Sequence, residues 1–258
     1  MTKHPLDLSG RVAVVIGGTS GLGRAIAKGL AEAGADVVAT GRRENLAAEV
    51  AAEIEAVGRK SLVCGVDVSQ RESIDAMRDK VLGHFGQVDI LLNAAGRTKR
   101  LPTKDFPEAE WDAIFDANVT GMLRACQSFY EPLKANGRGR IINIASLTSY
   151  RAFHEVAAYS ASKAAVLSLT MSLGCEWAKD GINVNALAPG VFKTPLNEHL
   201  ITGTVRGNEI LMRTPMGRFG TPNELIGAAV LFASDAASFI TGQCIGVDGG
   251  FLASGVNS

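Results

Sequence analysis

Tyr159 and Lys163 combine a phenol and an ammonium group four residues apart in the segment Tyr-Ser-Ala-Ser-Lys. Residues four apart on a helix lie on the same face, so the two groups can act together. A neighbouring cation favours the phenolate and lowers the pKa of a phenol from its ordinary value of about 10. The spacing therefore predicts that Tyr159 is a general acid or base in a proton transfer.

A second pair with the same spacing, Tyr130 and Lys134, shows that the spacing alone does not identify a site. Ser146 stands thirteen residues before Tyr159, at the end of a predicted strand, where its hydroxyl would face the same cleft. Tyr130 has no such serine, and a proline interrupts its pair. We therefore expect Tyr130 to be a packing residue.

A glycine-rich turn follows the first predicted strand and leads into a predicted helix. Glycine permits a tight turn, and a helix N-terminus offers N–H groups to a phosphate. The turn is thus predicted to bind the pyrophosphate of a dinucleotide, although a turn needed only for packing is the alternative. The candidate binding residues in it are Gly17, Thr19, Ser20, Gly21, Leu22 and Gly23.

The end of the second predicted strand indicates which dinucleotide is bound. An acidic residue commonly holds the ribose 2′-hydroxyl of NAD there. This chain instead has Arg42 and Arg43, and guanidinium groups attract a 2′-phosphate, so NADP(H) is preferred and NAD(H) is the second choice. Solvated arginines that open the next helix are the alternative. Asp67, after the third predicted strand, is expected to accept from the adenine amino group, to cap the next helix, or both.

Apolar runs alternate with amphipathic stretches along the whole chain, as in βαβ units. We predict an α/β fold: a single-domain Rossmann fold, residues 1–258, with a doubly wound seven-stranded parallel sheet and helices on both faces. The predicted strands are 11–16, 36–40, 60–65, 88–92, 139–145, 182–188 and 244–247. The predicted helices are about 22–34, 43–57, 70–85, 107–135, 157–179 and 222–234.

Composition excludes several classes of protein. The 258 residues include 26 basic and 26 acidic side chains, so there is no broad positive field for nucleic acid or anionic membrane, and a small molecule is the expected partner. The sequence has no apolar leader and no run long enough for a membrane helix, which predicts a cytoplasmic protein. The four cysteines and four histidines show no ligand spacing, so no metal is expected.

Asn118 lies inside the predicted helix 107–135, where asparagine has poor propensity, which suggests a polar task unless it is a tolerated surface residue. With Asn118 and the features above, the sequence resembles the short-chain dehydrogenase/reductase family over essentially the whole chain. The resemblance rests on ordered motifs, namely Gly17-x-x-x-Gly-x-Gly, Asp67, Asn93-Ala-Ala-Gly96, Asn118, Ser146, Tyr159, Lys163, Pro189-Gly190, Thr194 and the late Val-Asp-Gly-Gly.

The resemblance implies that Ser146 polarises a carbonyl, that Tyr159 transfers the proton, and that Lys163 binds the nicotinamide ribose and lowers the Tyr159 pKa. Asn118 would hold a water in the proton relay. Further cofactor contacts are implied at Val68, Asn93, Ala94, Gly96, Pro189, Gly190, Val191 and Thr194. The chain departs from the family pattern at Ile16, where threonine is usual, and at Ala94, where a second asparagine is common. The loss of the threonine hydroxyl is expected to loosen the cofactor grip.

The loop after Gly96 carries three cations, which suggests a carboxylate or phosphate on the substrate. A solvated basic loop is the alternative. The candidate substrate contacts are Arg97, Arg100, His154 and Asn197. For His154, an ordinary surface role is the alternative.

The region around residues 190–220 is rich in glycine and proline, which is typical of a mobile cover over a cleft. Within the family, the chain most resembles gluconate 5-dehydrogenase-like members that act on sugar acids and polyols. A 3-oxoacyl-(acyl carrier protein) reductase is the alternative, and a non-catalytic dinucleotide sensor is the alternative from another class. The small, apolar helix 157–179 and the resemblance both lead us to expect a homotetramer.

Overall fold

A computed structural model of the chain describes residues 4–194 and 197–257. Within them, six strands form one sheet in which every neighbouring pair is parallel, in the order β2-β1-β3-β4-β5-β6. The order reverses between β1 and β3, which makes the sheet doubly wound. The strands are β1 Val12–Ile16, β2 Asp36–Thr40, β3 Ile90–Asn93, β4 Gly139–Ile144, β5 Ile182–Pro189 and β6 Cys244–Val247.

Helices connect the strands, as right-handed crossovers in a parallel sheet require. In the described part of the chain they are α1 Gly21–Glu32, α2 Glu44–Ala56, α3 Arg71–Phe85, α4 Glu108–Phe115, α5 Gly121–Ser128, α6 Tyr130–Ala135, α7 Ala157–Glu176, α8 Glu198–Ile201, α9 Val205–Arg213 and α10 Ile226–Ala233. None of the helices in residues 4–194 and 197–257 combines the length and apolar character that a bilayer crossing requires.

Both faces of the sheet are covered by apolar layers. Alternate residues of β1 point to opposite faces, so Val14 joins one buried cluster and Val15 the other. The Val14 cluster includes residues of α3, α5 and α7, and the Val15 cluster includes residues of α1, α2 and α10. This arrangement explains why the predicted strands are apolar along their whole length.

The predicted strand at 60–65 is wrong, and the sheet therefore has six strands instead of seven. The segment does run beside β2, but it forms only one isolated bridge, between Gly41 and Gly65. Part of the contact between the segment and β2 is made by a side chain and not by backbone pairing. The Thr40 hydroxyl donates to the Cys64 carbonyl at 2.7 Å. An apolar run therefore lies at the sheet edge without continuous backbone pairing.

The predicted helix 107–135 is also interrupted, at two positions. A turn of π-helix, Asp116–Thr120, separates α4 from α5, and Phe129 separates α5 from α6. Single turns of π-helix inside helices are frequent at functional sites. This one contains Asn118.

Candidate active site

The predicted site residues follow the carboxyl ends of neighbouring strands at one edge of the sheet. Asn93 and Pro189 end β3 and β5, Ser146 lies two residues after β4, and the glycine turn follows β1. Tyr159 and Lys163 come from α7, which contacts β5 and the turn after β4. Ligands of doubly wound folds bind at this edge, near the point where the strand order reverses.

The glycine turn fits closely against the end of β3. Gly17 has a φ of +82°, and a Cβ added to it would lie 2.4 Å from the Ala95 amide nitrogen. A Cβ on Gly23 would lie 2.1 Å from the Gly17 carbonyl oxygen. A side chain at either position would displace backbone, so packing alone already requires both glycines.

The backbone of β2 anchors the same turn. The N–H groups of Gly17 and Gly18 both donate to the Thr40 carbonyl, at 2.8 and 3.0 Å. Ile16, which replaces the usual threonine, is buried in the core. The turn is therefore held by backbone hydrogen bonds that do not need the threonine hydroxyl.

The start of α1 has the properties of an anion site. The Ser20 side chain makes no capping hydrogen bond, so it leaves the N–H groups of the first helical turn without a side-chain cap. Gly21 has a φ of +54°, and a Cβ added there would meet no heavy atom within 4 Å. Ser20 and Gly21 are exposed, Leu22 is partly exposed and Thr19 is buried. This exposed helix start fits the pyrophosphate of a dinucleotide.

Arg42 and Arg43 follow β2 and are both exposed. Neither guanidinium forms an ion pair or hydrogen bond with any residue that the structure describes. The charge of Arg42 is nevertheless close enough to Asp67 to help lower the pKa of that carboxyl. Two uncommitted guanidiniums beside the ribose end of a dinucleotide site fit a 2′-phosphate.

Asp67 organises the turn before α3. Its Oδ1 accepts from the Ser69 N–H at 3.0 Å and the Ser69 hydroxyl at 2.8 Å. These bonds are the largest causes that lower the pKa of Asp67, and the charge of Arg42 adds to them. The next residue, Val68, packs against Gly121, where an added Cβ would lie 2.9 Å from the Val68 Cβ. Asp67 therefore stabilises the turn that leads to α3 but does not cap the helix, whose N-cap residue, Gln70, has no side-chain capping bond. The adenine contact stays a prediction.

Ser146 and Tyr159 come together as the sequence predicts. Ser146 is buried after β4, and its hydroxyl accepts from the Thr148 N–H at 3.1 Å. Burial raises the pKa of the Tyr159 phenol, whereas its hydrogen bond with the Ser146 hydroxyl lowers this pKa by a smaller amount. A phenol with a raised pKa holds its proton at neutral pH, which suits a proton donor.

Lys163 lies beside Tyr159 as the spacing predicts, and the lowering of the Tyr159 pKa that we expect from it stays a prediction. Its Nζ donates to the Ile144 carbonyl at 2.6 Å and lies 5.7 Å from the centre of the Tyr159 ring. Burial lowers the pKa of the Lys163 ammonium to about 8, and the net shift of the Tyr159 pKa is upward. Burial is the largest cause of both shifts, because it disfavours the charged form of each group.

The side-chain amide of Asn118 forms three hydrogen bonds within the protein. Its Oδ1 accepts from the Arg97 N–H at 2.7 Å, and its Nδ2 donates to the Arg97 carbonyl and to the Ser162 hydroxyl, each at 2.9 Å. Both amide hydrogens are therefore used, whereas the Oδ1 keeps a second acceptor position, and the water contact that the resemblance implies stays a prediction. Through its two bonds to the Arg97 backbone, Asn118 holds the loop after β3 in place.

The Asn93-Ala-Ala-Gly96 segment lies between the glycine turn and Lys163. The buried Nδ2 of Asn93 donates to the Asn143 side chain at 2.9 Å, which joins β3 to β4. A Cβ on Gly23 would lie 3.2 Å from the Ala94 Cβ, so a small residue at 94 suits the close turn. A Cβ on Gly96 would lie 3.7 Å from the Lys163 Nζ, which places the Gly96 backbone beside the ammonium group.

The segment after β5 is held by the C-terminal region. The Gly190 N–H donates to the Val247 carbonyl at 2.9 Å, and a Cβ there would lie 2.7 Å from the Asp248 Cα. The Val191 carbonyl accepts from the Gly220 N–H at 3.0 Å. These contacts bring both ends of the predicted cover, residues 190 and 220, to the sheet edge.

Of the candidate substrate contacts, Asn197 stabilises local structure and His154 lies at the surface. Asn197 accepts from the N–H of the buried Thr194 at 2.9 Å and donates to the Phe192 carbonyl at 2.8 Å, so it stabilises its own turn. The His154 side chain is 80% exposed and lies 3.7 Å from the Glu155 carboxylate. The surface role that was the alternative for His154 fits this position.

The cations of the basic loop are paired within the protein. Arg97 and Lys99 both contact Glu110 of α4, at 2.5 and 3.4 Å, and Arg100 contacts Glu155 at 2.7 Å. The Arg97 hydrogen bond is the main cause that lowers the pKa of Glu110. Each of the three cations thus has a glutamate partner that the sequence does not reveal, and the substrate contacts of Arg97 and Arg100 stay predictions.

The second tyrosine and lysine pair is structural. The Tyr130 ring packs on Trp177, and its hydroxyl donates to Asp180 at 2.8 Å. Lys134 contacts both Tyr130 and Asp180. The bond to Asp180 raises the pKa of Tyr130. Asp180 stands two residues before β5, so the pair lies at the amino end of that strand, away from the carboxyl ends that carry the site.

Two polar residues near the site were not predicted from the sequence. Ser162 is fully buried and connects the Asn118 amide to the Tyr159 carbonyl, to which it donates at 2.7 Å. A serine directly before Lys163 on the same helix is the signal that could have found it. The other is Arg206 of α9, whose Nη1 donates to the His154 carbonyl at 3.2 Å. The one feature of the sequence that indicates Arg206 is its positive charge within the predicted cover.

Comparisons with known proteins agree with this geometry. A family model described as enoyl-(acyl carrier protein) reductase matches residues 17–252. The 2-dehydro-3-deoxy-D-gluconate 5-dehydrogenase of Escherichia coli (strain K12) is 40% identical over 254 residues, which cover 98% of this chain and 100% of that protein. The gluconate 5-dehydrogenase of Gluconobacter oxydans (strain 621H) is 37% identical over 254 residues, which cover 98% and 99%.

A solved structure has the same fold throughout. The crystal structure of a gluconate 5-dehydrogenase from Burkholderia cenocepacia J2315, in complex with NADP and tartrate, aligns with a TM-score of 0.93. It is 37% identical, and the alignment covers 97% of this chain and 98% of that chain. With the glycine turn and the Ser146, Tyr159 and Lys163 arrangement at the sheet edge, these matches establish that the chain belongs to the short-chain dehydrogenase/reductase family.

Proposed function

We propose that the protein is an NADP(H)-dependent oxidoreductase that interconverts a secondary alcohol and a ketone on a sugar acid or polyol. The observation that carries this proposal is the assembly of Ser146, Tyr159 and Lys163 beside the glycine turn, at the carboxyl edge of the sheet. The names of the relatives, dehydrogenases of gluconate and of 2-dehydro-3-deoxy-D-gluconate, support the sugar acid as substrate.

The cofactor would lie across the ends of β1 to β5. The pyrophosphate would bind the first turn of α1, the 2′-phosphate would meet Arg42 and Arg43, and the adenine would lie near Asp67 and Val68. The nicotinamide ribose would contact Tyr159 and Lys163. The remaining contacts that we assign to the cofactor are Gly17, Thr19, Ser20, Gly21, Leu22, Gly23, Asn93, Ala94, Gly96, Pro189, Gly190, Val191 and Thr194.

When bound, the nicotinamide supplies or accepts the hydride. For carbonyl reduction, the Ser146 hydroxyl donates a hydrogen bond to the carbonyl oxygen and the Tyr159 phenol transfers its proton to that oxygen. The raised pKa of Tyr159 keeps the donor protonated before reaction. In the opposite direction, Tyr159 accepts the proton of the alcohol as a general base.

Lys163 and Asn118 would support this chemistry in different ways. Lys163 places a buried positive charge near the phenolate that forms at Tyr159, which stabilises it electrostatically. Asn118 fixes the backbone of Arg97 and, through Ser162, the first turns of α7. We therefore assign Asn118 a positioning role.

The acyl substrate is the second candidate. The description of the matching family model, enoyl-(acyl carrier protein) reductase, favours an acyl chain as the substrate. An enoyl reductase reduces a C=C bond, whereas the 3-oxoacyl reductase alternative reduces a ketone, so the description supports the carrier-bound acyl chain and not the reacting group. A non-catalytic sensor would not need Ser146, Tyr159 and Lys163 together, so the intact set supports an enzyme.

We further propose one catalytic domain over residues 1–258, with a substrate cover at about 190–220. A homotetramer in the cytoplasm is the proposed state. The outward side of α7 supports the assembly, because it combines small residues such as Ala164 with the half-exposed Met171. All four cysteines are free thiols, which fits a reducing compartment.

The experiment follows absorbance loss of NADPH, and in parallel of NADH, with 5-keto-D-gluconate and separately with an acetoacetyl thioester. Turnover of the keto acid with a preference for NADPH is the expected result. Turnover of the thioester alone would instead favour the acyl reductase. Tight NADPH binding without turnover of either compound, or of a wider panel of carbonyls, would favour the sensor.

A further inference from the structure

Arg206 is a half-buried guanidinium in the proposed cover. It lies in the first turn of α9, its Cζ is 5.6 Å from the centre of the Phe153 ring, and its Nη1 donates to the His154 carbonyl at 3.2 Å. Within the described residues it forms no ion pair with a carboxylate. Its remaining N–H groups are therefore available to an anion.

The carboxylates around Arg206 already have cationic partners. Glu155 binds the Arg100 Nε at 2.7 Å, and Glu209 binds Arg213 at 3.6 Å. Burial and the charge of Arg100 lower the pKa of Arg206, while Glu155 and Glu209 act in the opposite direction. Three guanidiniums, those of Arg100, Arg206 and Arg213, thus share the two carboxylates of Glu155 and Glu209, and one positive charge remains in excess.

The contacts of Arg206 connect it to the reacting centre. His154 and Glu155 lie immediately before α7, whose first turn carries Tyr159. The Leu101 N–H donates to the Glu155 carbonyl at 2.9 Å, which joins this loop to the segment after Gly96. Arg206 therefore lies over the loop that enters the catalytic helix.

Glu155 also has an unusual backbone conformation. Its φ is +65°, the single positive value among the non-glycine residues that the structure describes. Such strain concentrates at ligand-binding loops, where the surrounding contacts hold it in place. Here the holding contacts are those of Arg100 and Leu101.

We propose that Arg206 binds the carboxylate of the substrate and selects carbonyl compounds that carry one. This inference rests on the proposed function, because it requires a keto acid as substrate. The cations expected from the sequence, Arg97 and Arg100, are engaged by glutamates. Arg206 can form two parallel hydrogen bonds to a carboxylate without first breaking an ion pair. Arg151 also has no ion pair within the described residues, but its side chain is exposed, whereas that of Arg206 is half-buried.

The test compares Arg206→Gln and Arg206→Lys with the matched control Arg218→Gln, an exposed arginine in the same cover whose partner is Glu224. Each variant is assayed with NADPH on 5-keto-D-gluconate and on its amide, which lacks the charge. For Arg206→Gln we expect kcat/KM to fall 10-fold to 100-fold on the acid, mainly through KM, and to change less than 3-fold on the amide. Arg206→Lys should lose less, and Arg218→Gln should match the wild type.

The outcomes separate this inference from the proposed function. If the wild type reduces the acid and Arg206→Gln reduces it equally well, or loses both substrates equally while NADPH binding is intact, the inference is wrong and the proposed function stands. If the wild type reduces no sugar keto acid, the proposed function fails and the inference fails with it. Should Arg206→Gln not fold, unchanged selectivity in Arg206→Lys would overturn the assignment, because a single ammonium cannot replace the paired hydrogen bonds.

Discussion

Asn118 binds both the N–H and the carbonyl of Arg97, at 2.7 and 2.9 Å, from within a single turn of π-helix. Its third bond reaches Ser162, one residue before Lys163. One buried amide thereby joins the loop after β3, the α4–α5 junction and the catalytic helix. This geometry explains why an asparagine occurs where helix propensity disfavours it.

Asn118→Ala is expected to destabilise the protein by about 2–3 kcal/mol, because it leaves buried hydrogen-bonding groups unpaired. It should also lower kcat, since Gly96 and Lys163 lose their fixed spacing. Urea unfolding and turnover measure the two effects. Asn136→Ala is the control: its amide binds the Val88 carbonyl away from the cleft, so it should cost about 1 kcal/mol and leave kcat unchanged. Full stability and activity in Asn118→Ala would contradict the positioning role.

Arg42→Ala should weaken NADPH binding by about 10-fold to 100-fold, the effect of losing a charge-assisted hydrogen bond. NADH binding should change less than 3-fold, because NADH carries no 2′-phosphate. Fluorescence titration with both cofactors measures the difference, and Lys28→Ala, an exposed cation on the outer side of α1, is the control. Equal losses for the two cofactors would remove Arg42 from the 2′-phosphate site.

The buried Lys163 predicts a pH dependence of stability. Its pKa is about 8 in the folded protein, below the ordinary value of 10.5. Between these values the unfolded chain binds more protons, so this group makes the fold more stable as the pH rises through 8 to 10.5. Relative to Lys163→Met, the wild type should gain about 3 kcal/mol across that window. Urea unfolding at a series of pH values tests this, and a constant difference between the two proteins would contradict it.

Features that depend on short stretches of sequence were predictable. The glycine turn, the strand ends and the helix that carries Tyr159 and Lys163 each follow from local patterns, and the structure has them in the expected places. The predicted strand at 60–65 shows the limit of this reasoning. Its composition suits a strand, but strand formation depends on backbone pairing with β2, which the segment does not complete.

Features that depend on long-range contacts were not predictable. The sequence shows the cations of the basic loop but not their partners, because Glu110 and Glu155 pair with them only after α4 and the loop before α7 fold beside it. The pKa of Tyr159 is a similar case. Spacing reveals the nearby Lys163, whereas burial, the larger cause, depends on the whole fold.

Tyr159→Phe is the variant that most directly affects the proposed chemistry, because it removes the phenolic proton and keeps the ring. General acid–base catalysis contributes about 10²-fold to 10⁴-fold to a rate, so turnover should fall by at least about 10²-fold. The Kd for NADPH should change less than 3-fold. Tyr130→Phe, in the structural pair that binds Asp180, should keep the activity of the wild type.

The central measurement is the rate of NADPH oxidation with 5-keto-D-gluconate for the wild type and for Tyr159→Phe in the same assay. The account predicts steady turnover by the wild type and a loss of at least about 10²-fold in the variant, with NADPH binding intact. Turnover by Tyr159→Phe at the wild-type rate would contradict the assignment of Tyr159 as the proton donor, and no turnover of the keto acid by the wild type would contradict the proposed substrate.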